Sequence, residues 1–141
     1  MRRPKETRAW ILAASYTAVL AAVSLVPSGS SAGPLERWDT RLNPDLQNVL
    51  HVPAFGLMVF LLARAMDRGR LWQLGLAAVA CVAFGALLEW GQAVVPGRFG
   101  SLGDVLLNAV GVVLGTAIRL AQGTEARAAT AMHLHDRTEP S

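Results

Sequence analysis

Two apolar segments of this chain are joined by Glu89-Trp-Gly-Gln-Ala-Val-Val-Pro-Gly-Arg-Phe-Gly-Ser-Leu-Gly-Asp-Val-Leu-Leu-Asn108. The junction carries two carboxylates, one arginine and two amides, although each flanking segment is apolar enough to cross a bilayer. An ionisable side chain at the centre of a membrane helix costs about 2.5–3.5 kcal/mol even on a lenient insertion scale. The polar residues of this junction therefore predict a functional site in a helical membrane protein.

The composition indicates a polytopic membrane protein. Hydrophobic residues make up 52% of the 141 residues and charged residues only 16%, and the charges lie between long apolar runs. The net charge is +3 and the pI is about 10.0. Because the basic residues flank apolar spans instead of forming a soluble patch, we exclude nucleic acid as a partner. The single cysteine, Cys81, excludes an intrachain disulfide and a cysteine-based metal site.

Four transmembrane helices are predicted, which gives an all-α bundle. Pro27 ends the first helix and Pro44 begins the second, while a turn at Pro96-Gly97 follows the third. We expect a basic N-terminus, a membrane domain and a disordered polar tail at residues 1–8, 9–120 and 121–141. The helices are expected at about residues 9–26, 44–66, 71–95 and 102–120.

The distribution of lysine and arginine predicts that both termini are cytoplasmic. In a four-span topology, ten of the 13 basic residues lie on the side of the termini. The other side carries only Arg37, Arg41 and Arg98. The polar junction is therefore expected at the outer, non-cytoplasmic face of the membrane.

Residues 1–32 also resemble a secretory signal, with a basic start, an apolar core and small residues at 30–32. Cleavage there would leave three spans. The apolar run of about 18 residues is longer than the usual signal core of about 7–15 residues. This length favours a first membrane span.

Seven polar residues are predicted to lie in the outer half of the bundle. Glu89 lies six residues before Val95, and so about 9 Å inside the outer end of the third helix. A carboxylate at this depth needs a partner, a proton or water, and Arg98 is the partner that we expect. Such a pair could also be a structural lock. The candidate binding or functional cluster consists of His51, Glu89, Gln92, Arg98, Ser101, Asp104 and Asn108.

Other members of this cluster also have structural interpretations. Ser101 and Asp104 form a capping-box pattern, which satisfies free N–H groups at a helix start. Asn108 could form a hydrogen bond across a helix interface. His51 could be a packing residue, and Gln92 could cap the third helix.

Small residues form a stripe on each of the last two predicted helices. Gly85 and Glu89 share a face of the third helix at four-residue spacing. Gly111 and Gly115 form a GxxxG motif, which lets membrane helices approach closely. We therefore predict that the third and fourth helices pack on each other through these stripes.

The sequence resembles the VanZ-like family of small bacterial integral membrane proteins over about residues 9–120. The motifs are Asn48-Val-Leu-His51-Val-Pro-Ala-Phe-Gly56, Glu89-x-x-Gln92, Pro96-Gly-Arg98, Ser101-x-x-Asp104 and Asn108-x-x-Gly111-x-x-x-Gly115. The resemblance implies a four-helix inner-membrane protein, and the family's namesake confers resistance to the glycopeptide antibiotic teicoplanin. Many members carry an Asp-Lys pair shortly before the histidine, where this chain has Gln47 and Asn48. The resemblance therefore does not carry over a role that needs this pair.

Three functions are compatible with the sequence. The favoured one is a cell-envelope protein that binds a lipid-linked precursor or a glycopeptide in a polar pocket between helices two, three and four. A small membrane enzyme acting on an envelope lipid is the second, with Glu89 or His51 as general base, although no complete catalytic constellation is identifiable. A transporter or channel subunit is disfavoured, because the inner half of the spans has ionisable residues only at Arg64 and Arg119. No catalytic residue, cofactor or metal ion is assigned from the sequence.

Overall fold

The four apolar runs form four α-helices in the computed structural model of the protein. It describes residues 4–26, 44–66, 70–95, 98 and 100–136, and these contain no β-strand. The predicted all-α, four-helix architecture is confirmed. The helices are α1 (Pro4–Ser24), α2 (Pro44–Ala65), α3 (Leu71–Gln92) and α4 (Leu102–Asp136).

Each helix contains a stretch that is long and apolar enough to cross a membrane. The windows have mean hydropathies of 1.2, 1.5, 2.0 and 1.6 in chain order. They lie at Lys5–Ser24, Asn48–Ala65, Leu71–Gln92 and Leu102–Glu125. The protein is therefore a multi-pass membrane protein by the length and composition of its helices.

The helix ends differ from the predicted ones at three places. Helix α1 begins at Pro4, within the predicted basic N-terminus, and α3 ends at Gln92 before a turn that reaches Val95. Helix α4 continues to Asp136, past the predicted end near Leu120. Residues after Leu120 are rich in alanine, the best helix former, and extending a helix costs less than starting one. The rest of the predicted tail, the 96–97 turn and the alternative cleavage site at 30–32 lie outside the described residues.

The most extensive contact in the bundle joins α2 and α4 through glycines. A methyl group on Gly111 would collide with the carbonyl oxygen of Val52, and one on Gly115 would collide with that of Gly56. The backbones of the two helices thus touch directly, which only glycine permits at these positions.

The prediction that the GxxxG motif packs on the third helix is therefore wrong. Gly111 and Gly115 face α2, and α3 meets α4 beside them, through Gly85. A methyl group on Gly85 would lie 2.9 Å from the ring of Phe55 and 3.0 Å from Nδ2 of Asn108. Four apolar runs do not fix the order of helices around a bundle, and for this reason the sequence did not identify the partner.

The apolar core lies between α2, α3 and α4, whereas many large apolar side chains point outward. Phe55, Val59 and Cys81 are almost fully buried in this core. Outward-facing leucine and valine side chains suit contact with lipid. Only three polar or charged residues of the described chain are buried, and they lie in the end of the bundle where α3 finishes and α4 begins: Glu89, Gln92 and Asn108.

Candidate functional site

Three helices bring polar side chains together at one end of the bundle. Helix α2 contributes His51, the residue before the Val52–Gly111 contact. Helix α3 contributes its last turn, and α4 contributes its start and first two turns. We call five of these residues the polar cluster, because hydrogen bonds or close approach connect them. The polar cluster consists of His51, Glu89, Ser101, Asp104 and Asn108.

A side-chain hydrogen bond connects α2 and α4 within the polar cluster. His51 Nδ1 lies 2.8 Å from Oδ1 of Asn108, which is only 1% exposed. An amide oxygen only accepts hydrogen bonds, so Nδ1 carries the proton and donates it. In a neutral imidazole the other ring nitrogen, Nε2, then presents a lone pair. Asn108 therefore sets both the orientation and the tautomer of His51.

Glu89 receives a backbone hydrogen bond from the start of α4. The N–H of Ser101 donates to Oε2 of Glu89 at 3.2 Å, and the carboxylate is in a residue only 4% exposed. In a reciprocal capping box, the side chain three residues later, Asp104, would accept this N–H. Here Ser101 Oγ keeps its own capping role, because it accepts the N–H of Gly103 at 3.1 Å. The start of α4 is thus capped by two side chains, Ser101 on its own chain segment and Glu89 on α3. The sequence pattern indicated only the contribution of Ser101.

Gly100 allows the loop to reach Glu89. A methyl group at this position would collide with the backbone carbonyl oxygen of Glu89. Gly100 therefore lies directly against the end of α3, and this approach brings the N–H of the next residue, Ser101, to the Glu89 carboxylate. The partially positive N-terminus of α4 also favours a carboxylate at this place.

His51, Glu89 and Asp104 form a group that has the chemistry of metal ligands. One potential ligand atom from each residue lies within 4.8 Å of those of the other two. Glu89 is buried, and the other two residues are partly buried. Sequence reasoning placed all three residues at the same end of the bundle and assigned no metal site.

Gln92 and Arg98, the other two predicted cluster members, hold the end of α1. Gln92 Nε2 donates to the carbonyl oxygen of Ser24 at 3.1 Å, and Arg98 Nε donates to that of Val26 at 3.1 Å. The last carbonyls of a helix lack partners within the helix, and Gln92 supplies one for Ser24, the last residue of α1. Arg98 binds the carbonyl of Val26, two residues after the helix ends. Gln92 therefore caps the end of α1. The sequence had suggested a cap on α3. Glu89 accepts a hydrogen bond from the Ser101 N–H, and it also interacts electrostatically with Arg98.

Comparison with known proteins assigns the family. The family model described as VanZ/LLP1 matches residues 4–121. The chain belongs to the VanZ/LLP1 family. This match confirms the resemblance seen in the sequence motifs, and it covers all four membrane-spanning stretches except the last residues of the fourth. No curated protein and no solved structure matches the chain.

Within the polar cluster, this VanZ/LLP1 protein holds a buried amide donor. Nδ2 of Asn108 has no hydrogen-bond partner among the described residues, and it lies next to Gly85, one turn deeper in α3 than Glu89. A buried amide N–H without a partner costs about 1–3 kcal/mol. Asn108 can therefore offer a hydrogen bond to a water or to a polar group that enters the site.

An apolar groove lies elsewhere on the VanZ/LLP1 bundle. It has a volume of about 390 Å³ and is formed by α1, α2 and α3, with Trp10, Thr17, Leu62 and Phe84 among its lining residues. None of its lining residues belongs to the polar cluster. The apolar lining suits hydrocarbon chains and sets the groove apart from the polar cluster.

Proposed function

We propose that this VanZ/LLP1 protein acts in the cell envelope by binding the polar headgroup of a lipid-linked envelope precursor at its polar cluster. The observation that carries the proposal is the burial of Glu89 and Asn108, together with His51 and Asp104, at one end of a bundle of apolar helices. Ionisable residues in membrane helices are costly, and functional sites are where they occur.

The orientation of the bundle in this proposal follows from its positive charges. Lysine and arginine are concentrated on the side of the termini and of the α2–α3 connection, and this side faces the cytoplasm. The polar cluster then opens at the outer face of the cytoplasmic membrane, where lipid-linked precursors and glycopeptide antibiotics meet. Resistance to teicoplanin is the phenotype that we propose on this basis.

The chemistry of the cluster suits a ligand with both donors and acceptors. Asp104 and Glu89 offer carboxylate oxygens, His51 offers an imidazole nitrogen, and Asn108 offers the buried amide donor. Arg98 adds one positive charge near the same end, which favours an anionic group such as a phosphate. A sugar phosphate or lipid phosphate headgroup presents this combination of groups.

A susceptibility assay tests this function. Wild type, Asp104→Asn, Arg98→Ala and the lipid-facing control Leu106→Ala are expressed at matched membrane levels in a susceptible host, with teicoplanin and vancomycin compared. We expect wild type and Leu106→Ala to protect against teicoplanin, and the other two variants to fail. Equal protection by all variants would assign the cluster a structural role, and no protection by wild type would show that the namesake's activity is not a property of this chain.

A second candidate function is an enzyme that acts on an envelope lipid. It is favoured by the His51–Asn108 hydrogen bond, because a histidine whose Nδ1 is held by an acceptor presents Nε2 as a general base. The variant Glu89→Gln separates the two functions, since it keeps an oxygen for the Ser101 N–H but removes the charge. Mass spectrometry of phospholipids or precursor lipids incubated with nanodisc-embedded protein should show products for wild type alone if the protein is an enzyme, and no products if it only binds.

A further inference from the structure

We infer that His51, Glu89 and Asp104 bind a divalent transition-metal ion, with Zn²⁺ as the best-matched ion. The inference rests on the proposed function, because the ion would be the group that meets an anionic headgroup. The three residues come from α2, α3 and α4, so a bound ion would also tie these helices together at one end.

The donor set selects the class of ion. Imidazole suits Zn²⁺, Cu²⁺, Fe²⁺ and Ni²⁺, whereas carboxylates alone suit Mg²⁺, Ca²⁺ and Mn²⁺. One imidazole and two carboxylates are within the normal ligand set of Zn²⁺. Three protein ligands leave the fourth tetrahedral position open for water or for a ligand oxygen, as in zinc sites that act on substrates.

The distances permit binding after small side-chain rotations. The three ligand atoms lie within 4.8 Å of one another. Zinc bonds of about 2.0–2.1 Å place tetrahedral ligands about 3.4 Å apart. The remaining contraction is of the order of 1 Å, and side-chain rotation supplies it because His51 and Asp104 are only partly buried.

Two of the three ligands are already held by outer contacts. Metal-binding histidines almost always donate their second ring N–H to a carbonyl or carboxylate, and His51 Nδ1 does so to Asn108. Ligating carboxylates are in turn hydrogen-bonded, and Glu89 Oε2 accepts the Ser101 N–H. With Nδ1 and Oε2 in these hydrogen bonds, each residue still has a second potential ligand atom, Nε2 of His51 and Oε1 of Glu89. These two hydrogen bonds are a second observation, separate from the short distances between the three ligand atoms.

Charge balance points the same way. Two carboxylates at this separation repel each other, and burial of like charges without compensation is strongly unfavourable. Arg98 adds a single positive charge near this end of the bundle. A divalent cation would offset both carboxylates, and the described residues of the site, counted with Arg98, would then carry a net positive charge that attracts an anionic ligand.

Direct metal binding tests the inference without reference to any phenotype. The full chain is purified in nanodiscs, stripped with a chelator and titrated with Zn²⁺, and the bound metal is counted by elemental analysis. The variants are His51→Ala, Glu89→Gln, Asp104→Asn and Asn108→Ala. The matched control is the double variant His133→Gln/His135→Gln, which removes the other two histidines of the chain. Circular dichroism verifies that each variant keeps its helices.

We expect one Zn²⁺ per wild-type chain and per control chain, with loss of stoichiometric binding in His51→Ala and Asp104→Asn. Asn108→Ala should weaken binding by about 10–100-fold, because it removes only an outer contact. Co²⁺ in place of Zn²⁺ should show visible absorption bands of a tetrahedral site in wild type and none in His51→Ala.

The inference fails if wild type does not bind stoichiometric Zn²⁺ or if folded Asp104→Asn still binds it. It also fails if the control His133→Gln/His135→Gln loses Zn²⁺ binding. Failure of this inference is distinguishable from failure of the proposed function. A protein that protects cells but binds no Zn²⁺ refutes the metal site alone. A protein that binds Zn²⁺ through the three residues but protects no cell refutes the proposed phenotype and leaves the metal site standing.

Discussion

His51 and Asn108 are 57 residues apart in sequence, yet Nδ1 of the first and Oδ1 of the second are 2.8 Å apart. The contact lies about one turn from the place where the backbones of α2 and α4 touch at Val52 and Gly111. Short side chains can bridge two membrane helices only where the backbones are this close. The glycine contact and the histidine contact are therefore parts of one arrangement.

The His51–Asn108 bond should be measurable as a coupling energy. In a double-mutant cycle with His51→Ala and Asn108→Ala, we expect about 1 kcal/mol, since side-chain bonds between membrane helices average about 0.6 and reach about 1.7 kcal/mol. The measurement is reversible unfolding of each variant in mixed micelles. Leu106→Ala, which faces outward, serves as the control and should show no coupling to His51→Ala.

Gly111→Ala and Gly115→Ala should each destabilise the protein by about 1–3 kcal/mol, because the added methyl group collides with backbone that cannot rotate away. The thermal unfolding midpoint in nanodiscs reports the effect. Gly75→Ala is the matched control, since nothing lies within 4 Å of its added methyl group. Alanine forms helices better than glycine, so helix propensity alone should make Gly75→Ala neutral or stabilising. If Gly75→Ala were as damaging as the other two, the loss would come from lipid contact and not from the α2–α4 contact.

Gly100→Ala should separate the loop from the end of α3 and break the hydrogen bond from Ser101 to Glu89. We expect faster hydrogen exchange of the Ser101 amide, with unchanged exchange in the middle of α4. Gly123→Ala provides the comparison, because its methyl group also meets nothing within 4 Å. A slow-exchanging Ser101 amide in Gly100→Ala would contradict the shared cap.

Gln92→Leu should weaken the attachment of α1 without changing the polar cluster, because its side chain bonds to the Ser24 carbonyl. The expected cost is about 0.6–1.7 kcal/mol in unfolding free energy. Zn²⁺ affinity, measured on the same samples, should stay at the wild-type value. A joint loss of stability and Zn²⁺ affinity would place Gln92 in the site after all.

The fold and the end of the bundle that carries the polar residues could be predicted from the sequence, for simple physical reasons. Runs of about 20 apolar residues specify spans, and polar residues near their ends stand out against them. Antiparallel helices with short connections then bring Glu89 and Asp104 to the same end.

Partners within that end could not be predicted in the same way. Helices that are apolar on most sides do not specify their neighbours, so the GxxxG motif was assigned to α3 when it packs on α2. For Glu89, charge favoured Arg98 as the partner, and the two residues do interact electrostatically. The hydrogen bond from the Ser101 backbone N–H could not be predicted, because a backbone N–H has no sequence signature. Helix α4 passes its predicted end because alanine-rich segments continue a helix beyond its apolar part.

Direct contact between main chains has a consequence for how this protein can change over evolutionary time. Where Gly111 meets Val52, and Gly115 meets Gly56, the spacing of the two helices is set by atoms that every amino acid shares. Substitutions on the lipid-facing surface cannot alter that spacing. The lipid-facing residues can therefore be substituted as the lipid composition of the host changes. The relative placement of His51 and Asn108 is fixed by the contact between the two backbones.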